Sequence, residues 1–133
     1  MRKNLVKKDP FISYAHILKV KSKEGIIMEK VGKISLSQLK VKIADGNYVL
    51  YFKADWCSDC RFIAPEIPTI TKDFSRFTFI EIDRDQNEKL GKELKIDGIP
   101  SYMVYKNGHE VARLVNKYRK TKQEIEDFLS KVK

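Results

Sequence analysis

A chain of 133 residues, 42% hydrophobic and 34% charged, has room for one domain around a single core and is too apolar to be disordered throughout. Its longest apolar runs fall short of the roughly eighteen residues a spanning helix needs, and Pro10, Ser13 and His16 break up the stretch after Arg2, Lys3, Lys7 and Lys8, so no signal-peptide core is expected. The formal charge of +9 is gathered N-terminally: residues 1–27 carry seven basic and two acidic side chains, an arm that could touch nucleic acid or an anionic membrane but is more simply a solvated surface.

In chain order, Asp9 and Pro10 suit a helix start, and Phe11, Tyr14, Ala15 and Leu18 recur at helical spacing toward Gly25, so an N-terminal helical extension over 9–25 is expected. The other reading is a strand from His16 to Val20 that turns back through Lys23 to Gly25. Ile26–Val31 reads as the first strand of the main domain. Ser35 to Gln38 has capping-box spacing for a helix ending at Asp45-Gly46, and Tyr48–Phe52 is a buried strand. A helix from Cys57 to about Phe74 is kinked by Pro65. Strands over 77–82 and 102–105 flank a short helix near 86–94. Asn107-Gly108 then turns the chain into a returning strand over 110–115, and Thr121 to Glu124 caps a last helix. The pattern predicts an α/β domain over 26–133, with a central mixed sheet of about five strands and helices on both faces, preceded by a basic extension over 1–25.

Cys57 and Cys60 are the only cysteines. A strand that delivers Cys-x-x-Cys to a helix start puts the first sulfur where unpaired N–H groups favour a thiolate, and the two residues share a helix face at disulfide distance. The expected chemistry is thiol–disulfide exchange, with Cys57 attacking as nucleophile and Cys60 resolving. No organic cofactor is implied, because the sulfur pair carries the electrons. His16 and His109 lack zinc-site spacing to the cysteines, so no metal is expected.

Ala54-Asp55-Trp56-Cys57-Ser58-Asp59-Cys60, Pro65, Asp83-Arg84-Asp85-Gln86-Asn87, Gly98-Ile99-Pro100-Ser101 and Lys106-Asn107-Gly108 together resemble the thioredoxin family over about residues 26–132. The resemblance implies the thioredoxin fold, a cis peptide before Pro100, and the Ile99 backbone beside Cys57. It also implies a substrate groove bordered by Trp56, Ile99, Pro100, Val115 and Asn116. Asn116 stands where many relatives have glycine, and it tolerates positive φ. Partners implied are protein disulfide substrates and an electron donor such as a thioredoxin reductase, with no nucleic acid and no membrane insertion. A monomer in the cytoplasm is the expectation.

Four departures bear on tuning. Ser58-Asp59 replaces the usual Gly-Pro, and the Asp59 carboxylate opposes negative charge on Cys57, making the pair a stronger reductant unless Lys53 or Arg61 compensates. Tyr51 and Glu81 occupy positions where relatives carry a buried aspartate and a lysine, so the usual proton acceptor for Cys60 is in question; a surface glutamate is the simpler reading of Glu81. The competing functions are an adaptor module with a basic docking helix, and a disulfide oxidase or isomerase.

Overall fold

Short apolar strands alternate with capped helices along most of the chain. The computed structural model describes the backbone of residues 17–22 and 25–133, and side chains from Met28 onward. The strands are β1 (Ile17–Ser22), β2 (Gly25–Val31), β3 (Asn47–Lys53), β4 (Thr78–Asp83), β5 (Ser101–Lys106) and β6 (His109–Leu114). The helices are α1 (Leu36–Lys42), α2 (Ser58–Ile63), α3 (Ile67–Asp73), α4 (Glu88–Glu93) and α5 (Lys122–Ser130), with 3₁₀ turns at Ala64–Glu66 and Asp85–Asn87. The sheet runs β1-β2-β4-β3-β5-β6. β2, β4 and β3 are mutually parallel, and β1, β5 and β6 are antiparallel to their neighbours.

β3 lies inside this sheet, and its alternation divides the core in two. Val49 and Tyr51 face Ile63, Ile67 and Ile70 from α2 and α3, and Ile125 and Leu129 from α5. Leu50 and Phe52 face Leu39 and Ile43 at α1 and Leu90 of α4. A strand covered on both faces has no polar side to show, which is why its apolar run is continuous. Both expected capping boxes are present: Ser35 with Gln38 opens α1, and Thr121 with Glu124 opens α5. The hairpin turn places Asn107 at φ 49° and Gly108 at φ 84°, the pair of positive angles that a two-residue hairpin requires.

Two expectations are corrected. The helix foreseen over 9–25 is not what its second half forms: Ile17–Ser22 is a strand, running from Ile17 opposite Val31 to Ser22 opposite Gly25. The turned-back strand was the better reading of this stretch. Leu18 and Val20 alternate with Lys19 and Lys21 in sequence, the period of two that suits a strand. The earlier part of that expected helix, with His16, lies outside the described residues. The expected mixed sheet of about five strands is present as β2 to β6, and β1 extends it at one edge to six. Finally, 57–74 is not one kinked helix. Pro65 lies in a 3₁₀ turn that separates α2 from α3, and Pro68 takes a first-turn position of α3, where a missing N–H costs little.

Candidate active site

β3 ends at Lys53, and the chain reaches Cys57 as the N-cap of α2. The Cys57 sulfur accepts the Cys60 backbone N–H at 3.2 Å, so it does the work that a serine or aspartate oxygen does at other helix starts. Its thiol points at the Ile99 carbonyl, 3.8 Å away. The Ile99-Pro100 peptide is cis, which presents this backbone to the sulfur. Both cysteines are free thiols, and both are buried.

Their environments differ. Burial, and after it the hydrogen bond to Cys57, pushes the Cys60 thiol up to about 12 from its ordinary 9.0. Folding therefore holds the Cys60 proton more tightly than the unfolded chain does. The sign is set by linkage: this contribution to stability is complete below pH 9.0 and is lost as pH rises toward about 12. Denaturant midpoints of the reduced protein, measured from about pH 8.5 to about pH 11, should fall more steeply than those of Cys60→Ala. Parallel pH slopes for the two proteins would contradict this.

Trp56 is 60% exposed beside the pair, and its indole N–H donates to Asp85 Oδ2 at 2.7 Å. Val115 and Asn116, both partly buried, come directly after β6. Asn116 is not in a positive-φ conformation: among the described residues other than glycine, that is found at Lys95 and Asn107. Its side chain instead accepts the Tyr118 N–H at 2.9 Å, closing a local turn.

Beneath the cysteines, one sheet row runs Lys30, Glu81, Tyr51, Tyr102. Tyr51 is buried and stacked on Tyr102, with ring centroids 5.2 Å apart. Burial pushes the Tyr51 phenol above its ordinary value, with nearby Cys60 and Glu81 adding to the effect, so the phenol stays protonated. Glu81 is neither a free surface carboxylate nor fully enclosed: its side chain is 16% exposed and pairs with Lys30 at 3.8 Å.

The fold and the dithiol have clear counterparts among known proteins. The thioredoxin family model matches residues 30–131. This chain belongs to the thioredoxin family. It is 34% identical to thioredoxin H5 of Arabidopsis thaliana over 95 residues, 68% of this chain and 78% of that relative. It is 36% identical to thioredoxin-1 of Schizosaccharomyces pombe over 71 residues, 53% of this chain and 69% of that one. The solved Fasciola hepatica thioredoxin superposes with a TM-score of 0.61 at 26% identity, covering 74% of this chain and 91% of its own. Thioredoxins are protein-disulfide oxidoreductases, and this chain carries the family's thiol–disulfide chemistry.

Residues that sequence reasoning missed cluster before α5. The expected compensators for Asp59 are engaged elsewhere: Lys53 Nζ pairs with Asp55 Oδ1 at 2.6 Å, and Arg61 donates to the Asp55 carbonyl at 2.8 Å. The cation on Asp59 is Arg119, whose Nε donates to Asp59 Oδ1 at 2.9 Å. Next to it, Lys120 is 1% exposed and donates to the carbonyls of Asn116 at 3.1 Å and Tyr118 at 2.6 Å. Burial lowers the Lys120 ammonium from its ordinary value. Nothing in the run Lys117-Tyr118-Arg119-Lys120 distinguishes the buried cation from its exposed neighbours. Ser101 Oγ donates to the Gly98 carbonyl, closing the loop that carries Ile99 and Pro100.

Proposed function

We propose that this thioredoxin reduces protein disulfides, with Cys57 as the attacking sulfur and Cys60 as the resolving one. The observation that carries the assignment is their asymmetry. Cys57 caps a helix and lies against the Ile99 backbone, whereas Cys60 keeps its proton up to about 12. The first sulfur is thus free to attack while the second waits.

The Cys57 thiolate displaces one sulfur of the substrate disulfide, which leaves as a thiolate and takes up a proton. A mixed disulfide remains. Cys60, on losing its proton, attacks the Cys57 sulfur, releases the second substrate thiol and closes the Cys57–Cys60 disulfide. Two electrons pass to the substrate, and a dithiol donor of the thioredoxin-reductase kind restores the pair. An extended substrate segment lies along Ile99-Pro100, between Trp56 on one side and Val115-Asn116 on the other. Among the described residues no helix is long and apolar enough to cross a membrane, and a cytoplasmic setting, where thiols are kept reduced, fits a reductant.

The test is to arrest the cycle midway. Cys60→Ala incubated with insulin should accumulate a covalent adduct through Cys57 that dithiothreitol releases, and Cys57→Ala/Cys60→Ala should form none. Binding of insulin without any adduct would favour the adaptor function and sink the proposal.

A further inference from the structure

Asp59 sits in the first turn of α2, two residues beyond Cys57, and its carboxylate is held by a cation sixty residues away in the chain. Arg119 is placed for this from both sides. Its guanidinium lies over the Phe62 ring, 4.3 Å from the centroid, a cation–π contact that favours this placement. Its backbone belongs to a segment that folds on itself: buried Lys120 binds the carbonyls of Asn116 and Tyr118, and Asn116 Oδ1 takes the Tyr118 N–H. That segment is also braced against the cis-proline loop, because the Asn116 backbone packs directly on Gly98. Lys53 and Arg61 are bound to Asp55, so neither stands in for Arg119.

We propose that Arg119 is a positioning residue for the thiol–disulfide reaction: it acts through Asp59, holding the carboxylate on the side of segment 116–120 and away from the sulfur of Cys57. Released from Arg119, the carboxylate can swing about its own side-chain torsions toward Cys57 and oppose the thiolate. The inference rests on Cys57 being the attacking sulfur. Asp59 in this motif is then a charge kept under restraint, and the residue that restrains it determines how far the pair departs from its relatives.

Removing the restraint should slow the thiolate and favour the disulfide. In Arg119→Gln, alkylation of Cys57 by iodoacetamide at neutral pH is expected to slow by about three-fold, the size of effect one unit charge has across several ångströms of partly solvated protein. The equilibrium with glutathione should shift by a similar factor of about three toward the oxidised pair, or about 14 mV more negative at 29.6 mV per tenfold. The deciding comparison is the same substitution in Asp59→Asn. There Arg119→Gln should have no effect on either quantity, because no carboxylate remains to be restrained. A loss that is equal in both backgrounds would mean that Arg119 acts by its own field, and would overturn the inference, as would a wild-type rate in Arg119→Gln. Peptide mapping of the alkylated site separates the two levels: labelling that goes first to Cys60 would overturn the assignment of the nucleophile and the inference with it.

Discussion

Cys57→Ser is expected to lose disulfide-reducing activity by about a thousandfold or more while remaining folded. Serine is a preferred N-cap, so its hydroxyl oxygen can accept the Cys60 N–H that the sulfur now accepts at 3.2 Å. It can also donate toward the Ile99 carbonyl, so the substitution leaves no buried donor stranded. What it removes is the nucleophile. An alcohol is scarcely ionised at neutral pH and does not exchange with disulfides, whereas a thiolate does. Insulin reduction, measured beside a thermal melt, checks both halves. A folded variant with activity within tenfold of wild type would refute the role assigned to Cys57.

Gly98→Ala is expected to be the most damaging small substitution around the site, at about 3 kcal/mol of stability. A methyl group there would lie 2.3 Å from the Asn116 carbonyl oxygen and 2.6 Å from the Lys117 Cα. Both atoms are backbone, so no side chain can rotate away to make room. Either the loop holding Ile99-Pro100 must withdraw from Cys57, or segment 116–120 must lift from α2. For a domain of this size the cost corresponds to a fall in Tm of roughly 10 °C. With substrates docking along Ile99-Pro100 as proposed, their binding should weaken as well, because that loop and segment 116–120 meet at this contact. A melting temperature within about 2 °C of wild type would show that the loops yield freely.

Much of this was legible along the chain because it is local. Ser35 with Gln38, Thr121 with Glu124, and Asn107 with Gly108 each specify their structure within four residues, through bonds that the same residues make. The dithiol, the loop at Ile99-Pro100 and the strand beneath them are marked by residue type and spacing in the same way. The misread N-terminal stretch is the opposite case. The spacing of Phe11, Tyr14, Ala15 and Leu18 suggests a helix running on toward Gly25, yet Ile17–Ser22 becomes a strand because Gly25–Val31 offers an edge to pair with. Arg119 was illegible for a related reason. Its partner Asp59 is sixty positions away, and only the closure of the fold puts the two on one surface. Lys120 shows the limit most plainly: a lysine in a polar run reads as exposed, yet backbone carbonyls wrapped around its ammonium make the buried position tolerable.

The chain holds a single tryptophan, and that indole adjoins the Cys57 backbone while its ring nitrogen is bound to Asp85. Light absorbed at the red edge of the near-ultraviolet band is therefore taken up at one address, one residue before the dithiol motif. A change at the dithiol or at Asp85 is expected to register at that same chromophore. The molecule is thus its own optical gauge, with no label to attach and no second emitter to subtract.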